Sequence, residues 1–202
     1  MGLPNDSILV TPGTGATVAT ELISAKEYQV IMVADGFGHI IGGRDVYVAS
    51  ALAMAKAASK NYLTVFNATG SAKTVEIVYA SVITSLTAAV TGLARGYRLF
   101  RITAHSVGTL ITPVKLKSSS PALPAEITAR KDGVTMTVSG DPLGIGVTNE
   151  EETGSAGMEA NLFDECKIGE PIICAVGEGI GIQQDATAGV GVLNAFIYFR
   201  VR

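Results

Sequence analysis

Short runs of alternating apolar and polar residues, parted by glycine-bearing turns about every ten positions, constrain this chain more than any other feature. The segment Thr74-Val75-Glu76-Ile77-Val78-Tyr79 keeps a period of two, which puts successive side chains on opposite faces of a strand. Residues 27–33 and 39–41 read as two strands around Ala34-Asp35-Gly36-Phe37-Gly38. Residues 62–67 and 73–83 read as a second hairpin around Thr69-Gly70-Ser71-Ala72. Further strands are expected at 98–104, 109–116, 126–129, 135–138 and 159–163. Gly169 to Gln184 and Val192 to Arg202 add two strand-like runs joined by a glycine-rich turn, so the C-terminus is expected inside a sheet rather than in a tail. About nine to eleven short strands without a βαβ rhythm predict an all-β fold. The expected architecture is an antiparallel, jelly-roll-like β-sandwich with an extended N-terminal arm and at most one short helix.

Three segments depart from the alternation. Residues 48–60, Val-Ala-Ser-Ala-Leu-Ala-Met-Ala-Lys-Ala-Ala-Ser-Lys, are rich in good helix formers and are expected to be helical. Residues 139–157, with Asp141-Pro142, Gly144, Gly146, Glu150-Glu151-Glu152 and Gly154, are expected to form a long acidic loop. Residues 80–94 carry no charge, but fifteen residues diluted by Thr and Ser fall short of the ~20 needed to cross a bilayer. A buried strand and turn, or a short helix, is the expectation there. The stretch Gly13-Thr14-Gly15-Ala16-Thr17-Val18-Ala19-Thr20 is small and polar, so residues 1–22 are assigned to the arm and 23–202 to the sandwich. Such an arm can add a strand to a neighbouring subunit.

Composition narrows the function classes. Of 202 residues, 48% are apolar and only 16% charged, which is too apolar for a disordered chain and leaves little charge to coat a monomer. Ser, Thr, Gly, Ala and exposed apolar groups must cover the surface, and some are expected to face other subunits. A net charge of −3 offers no basic field for nucleic acid. Cys166 and Cys174 lack the spacing of a zinc site. The start, Met1-Gly2-Leu3-Pro4-Asn5-Asp6-Ser7, lacks the basic and apolar regions of a secretory signal, so synthesis in a reducing cytoplasm is expected.

Motifs that suggest chemistry are incomplete. Ala104-His105-Ser106-Val107-Gly108 lacks the first glycine of a nucleophile elbow and runs on into strand-like residues. His39 is the other histidine available as a base for Ser106. Gly70-Ser71-Ala72-Lys73-Thr74 lacks the Gly-Lys pair of a phosphate loop. Gly177-Glu178-Gly179-Ile180-Gly181 has no helix after it to face a pyrophosphate. Asp141 with Glu150, Glu151 and Glu152 lacks the spacing of a calcium loop, and adjacent glutamates point apart. The expectation is therefore no enzyme, no cofactor and no metal. A hydrolase built on Ser106 with His105 or His39 remains a weaker alternative. So does a β-sandwich that binds a host receptor or carbohydrate through Tyr28, Tyr47, Tyr62, Tyr79 and Tyr97, though the chain has no Trp.

Two segments also carry a likeness. The Gly-Glu-Gly-Ile turn at 177–180 with the terminal run Phe196-Ile197-Tyr198-Phe199 resembles the end of tailed-phage virion structural proteins with jelly-roll domains. Arg101-Ile102-Thr103 with Ser106-Val107-Gly108-Thr109 and Thr112-Pro113, followed by Pro121-Ala122-Leu123-Pro124, is similar to a strand pair of phage head proteins. The resemblance spans about a third of the chain. It implies a head decoration or cement protein in the virion, assembled in the host cytoplasm as a homo-oligomer, a trimer, against the major capsid protein or other virion proteins. A neck, tail or fibre protein is its variant. On this reading Thr14, Gly15, Thr17, Val18 and Thr20 of the arm and Gly177, Glu178 and Gly179 of the turn are the candidate subunit-interface residues.

Overall fold

The computed structural model describes residues 18–23, 26–31, 33–34, 40–41, 45–85, 93–150 and 158–202. The chain divides into two units, Met1–Arg44 and Asp45–Arg202. In the first, β1 (Val18–Ile23) pairs antiparallel with β2 (Lys26–Ile31), and β3 (Val33–Ala34) with β4 (Ile40–Ile41). Residue 22, where the sequence reading ends the arm, lies within β1.

The second unit is an antiparallel β-sandwich. Its strands are β5 (Val46–Ala55), β6 (Asn61–Asn67), β7 (Val75–Ser85), β8 (Leu93–Ser106), β9 (Thr109–Ile111), β10 (Val114–Lys115), β11 (Ile127–Lys131), β12 (Thr135–Val138), β13 (Gly144–Glu150), β14 (Met158–Asp164), β15 (Ile172–Cys174), β16 (Glu178–Gln184) and β17 (Val192–Val201). One sheet runs β10-β5-β17-β7-β14, with β15 continuing along β7. The other runs β12-β8-β16-β6-β11-β9, with β13 beside the first half of β8. Without the segment β9 to β12 and the short β15, the sheets reduce to β5-β17-β7-β14 and β6-β16-β8-β13. Successive strands then change sheet at every step except β8 to β13, the interleaved order of a jelly roll.

The core lies between the sheets and follows the period of two. Leu193, Ala195, Ile197 and Phe199 of β17 point inward, as do Tyr47, Ala49 and Ala51 of β5, all at most 2% exposed. Tyr47 stacks on Phe199 with ring centroids 5.7 Å apart and donates to the Pro121 carbonyl. Leu63, Val65, Leu99, Ile180 and Ile182 answer from the facing sheet.

Several expectations need correction. Residues 48–60 are no helix, because β5 occupies Val46–Ala55 and pairs on both sides with β17 and β10. Alanine's helix propensity yields to burial of Ala49 and Ala51 beneath the facing sheet. Residues 62–67 and 73–83 form no hairpin, since β6 and β7 belong to different sheets and the turn at Gly70 carries the chain between them. The expected strand at 109–116 is broken at Thr112-Pro113 into β9 and β10, which join opposite sheets. The expected acidic loop instead contains β13, whose glycines let the strand press against β14. A Cβ on Gly144 would stand 1.8 Å from the Leu162 carbonyl oxygen. The uncharged segment 80–94 contributes the end of β7 and the start of β8, its middle lying outside the described residues. The one helix, α1 (Glu165–Ile168), is a single turn capped by Asp164, whose side chain accepts from the Cys166 amide, and by Gly169 at φ 91°.

Candidate functional site

Three places in the sandwich gather side chains that the core does not need. The first is the outer face of the seven-stranded sheet, where β16 carries glycine at 179 and 181 and so leaves a shallow floor between β6 and β8. Phe66, Phe100, Ile102, Val134 and Met136 fill it, and His105 closes it. His105 Nδ1 lies 2.8 Å from Thr64 Oγ1 and Nε2 lies 2.9 Å from Thr128 Oγ1, with the Phe66 ring centroid 5.0 Å away. Burial, reinforced by the Arg130 cation, lowers its pKa to about 4. The imidazole is neutral at pH 7, with both nitrogens held by threonines. Ser106 follows His105 on the same strand and so points to the opposite side. The hydrolase alternative therefore lacks its Ser–His contact, and His39 lies outside the described residues.

The second is an ion network at one end of the six-stranded sheet. Arg200 holds Glu165 with a bidentate pair at 3.0 and 2.7 Å, and its Nη1 lies 3.8 Å from Glu76. Arg202 Nε reaches Glu76 at 2.6 Å. Both carboxylates are buried, so the network ties α1 and β7 to β17. Close by, Tyr79 donates to Glu159 and meets Tyr198 edge-on. Charges that are neutralised internally in this way are poor candidates for substrate chemistry, and among the described residues no three His, Cys, Asp or Glu groups gather to hold a metal. Cys174 is buried and its thiol is pushed up to about 12, chiefly by burial, whereas Cys166 is exposed on α1.

The third is apolar surface. On the outer face of the six-stranded sheet, Val114, Val48, Tyr198 and Tyr79 form one cross-strand row, with Val114 63% exposed at its end. At the edge of the other sheet, β13 sends Ile145 and Val147 outward, 63% and 58% exposed, with Leu143 just before them. Apolar residues gathered along an exposed edge strand mark a place where another chain can pair.

The sequence-assigned interface residues fall partly in the first unit, partly in the second and partly outside the described residues. Val18 and Thr20 pair with Ile31 and Gln29 in the first unit, and Thr14, Gly15 and Thr17 lie outside the described residues. Gly177 takes φ 83° in the turn before β16. Glu178 accepts from Arg101 Nη1 and from the Ala175 amide, which closes that turn. Gly179 is no turn residue but a buried position in β16 opposite Phe66. Of the five tyrosines considered for sugar binding, Tyr47, Tyr62 and Tyr97 are core residues. The exposed edge of β13 escaped the sequence reading because its glycines mimic a loop. Its signal was the alternation Leu143, Ile145, Val147. No helix among the described residues is long and apolar enough to cross a membrane. No known protein family, curated protein or solved structure matches the chain.

Proposed function

We propose that this chain is a non-enzymatic structural protein of a phage virion, a head decoration or cement protein that stabilises the capsid through subunit contacts. The observation that carries the reading is the apolar surface on a strand edge and a sheet face, in a sandwich where His105, Glu76 and Glu165 are held in internal ties. The jelly-roll strand order agrees with the fold that the resemblance implies. The mechanism is physical: apolar faces and edges bury area between neighbours, and standard interfaces of about 1,200–2,000 Å² repeated around a shell sum to resistance against internal pressure. The partners are further copies of the chain, a trimer on the family likeness, and the major capsid protein or other virion proteins. The test is the copy number per purified particle by quantitative mass spectrometry. Hundreds of copies support a head protein. A few to tens move the chain to the neck, tail or fibre, and its absence from particles overturns the structural role.

A further inference from the structure

We propose that β13 is a homotypic pairing edge: two copies of the chain join their β13 strands antiparallel across a two-fold axis and bring Ile145 and Val147 of one copy against those of the other. The inference deepens the assembly reading above, on which it rests, by naming a partner and the strand that receives it.

A strand at a sheet edge presents unpaired backbone groups, and proteins that stay monomeric blunt such edges with shortness, charge, proline or bulges. Among the described residues of the second unit the other edges are blunted. β9, β10 and β15 have two or three residues each, β12 and β14 carry register shifts, and the stretch of β5 that β10 leaves uncovered is irregular, with Ala53 at φ 54° and a register shift against β17. β13 has seven residues in unbroken register on β8, from Gly144 opposite Leu99 to Glu150 opposite Leu93. From Leu143 to Asn149 it holds no charge and no proline. Among the described residues β8 is its one sheet partner.

The occupant follows from the strand's own pattern. Alternate residues face outward, so any antiparallel self-pairing with its axis at 145, 146 or 147 keeps Ile145 and Val147 on the solvent face. Each such axis sets β-branched or apolar groups against one another. From Leu143 to Asn149 the strand has no charge to repel its copy. A second copy therefore matches it both in backbone groups and in side chains, as an isologous contact requires. With β8 taking one side, the stretch around Ile145 and Val147 has one further side to offer, and the contact closes at two. A single strand pair buries less than the ~1,200 Å² of a standard interface, so the contact is weak in isolation and gains from effective concentration when other contacts already hold copies together.

Sedimentation velocity of the purified full chain over a concentration series should show species that double in mass, and Val147→Lys should weaken that doubling at least about tenfold, because on every such axis it sets a lysine against an apolar group or a second lysine of the copy. Circular dichroism of Val147→Lys should match the unaltered chain, as the site is exposed. In a Cys166→Ser background, mild oxidation of Ile145→Cys, of Val147→Cys or of the pair should give a disulfide-linked dimer, and whichever variant links reports the axis. Unchanged doubling in Val147→Lys, or no linked dimer from any of the three, overturns the proposal. These solution readouts are separate from the copy number per particle, so either idea can fail without the other.

Discussion

Gly179 and Gly181 sit two residues apart on β16, yet replacing each by alanine should have very different consequences. At Gly179 an added Cβ would stand 2.3 Å from the Val65 carbonyl oxygen and 2.8 Å from Phe66 Cα, both backbone atoms of the paired strand. Relief requires β16 and β6 to separate by about an ångström, which stretches two or three ladder hydrogen bonds worth about 0.5–1.5 kcal/mol each. Alanine returns about 0.4–1 kcal/mol by restricting the unfolded chain, so Gly179→Ala should cost about 2–3 kcal/mol net. At Gly181 the nearest atom is Met136 Sδ at 2.6 Å, then Thr64 Cγ2 at 3.1 Å. The methionine has three torsions with which to retreat, so Gly181→Ala should cost less than about 1 kcal/mol. Urea unfolding should show the Gly179→Ala midpoint lowered with an unchanged m-value, and its thermal midpoint down by roughly 4–10 °C. Equal midpoints for the two variants, or a larger loss at Gly181, would refute the reasoning.

Protonation of His105 should destabilise the sandwich. Its folded pKa of about 4 lies below the ordinary 6.5, so between those values the unfolded chain binds the extra proton. That contribution is complete above pH 6.5 and is lost as pH falls toward 4. Full linkage would amount to about 3 kcal/mol, which screening at a partly exposed ring reduces to about 1–2 kcal/mol. The stability difference between the unaltered chain and His105→Asn, measured by denaturant titration at several pH values, should narrow by that amount. Arg200→Ala leaves Glu165 without its bidentate partner and Glu76 with a weaker ion cage, and should cost about 2–4 kcal/mol in chemical denaturation. Arg200→Lys, which cannot form the fork, should recover only part of it. A thiol reagent at neutral pH should modify Cys166 and spare Cys174 in the native chain, with both reacting after denaturation.

Most strands were legible because one face is buried and the other less so, as along β17, where Leu193, Ala195, Ile197 and Phe199 are buried and the residues between them are half-buried. β5 was illegible because both of its faces are apolar: Tyr47, Ala49 and Ala51 inward, Val46, Val48 and Leu52 outward. Without contrast between faces the period of two vanishes, and alanine content then speaks for a helix. β13 failed for the opposite reason, since Gly144 and Gly146 serve close approach to β14 rather than a turn. Partner choice was not legible at all: nothing local to Thr69-Gly70 records that the next strand crosses to the other sheet. Of the candidate surfaces, low charge indicated that apolar groups must face outward. Where they gather depends on which strands end up at edges, and pairing sets that. The contact of His105 with Thr64 and Thr128 joins positions 41 and 23 residues away, beyond the reach of any motif.

β16 and β17 occupy interior places in the two sheets, β16 between β6 and β8 and β17 between β5 and β7. During synthesis, β5 to β8 leave the ribosome with a strand-wide gap in each sheet, one filled only after translation has passed Gln184 and the other only after it has passed Val201. Message truncated before Val192 would yield a chain with an open slot lined by Tyr47, Ile77 and Ala49, a ready target for chaperones and proteases. Placing β16 and β17 at the centres of the two sheets makes closure of the sandwich wait for them.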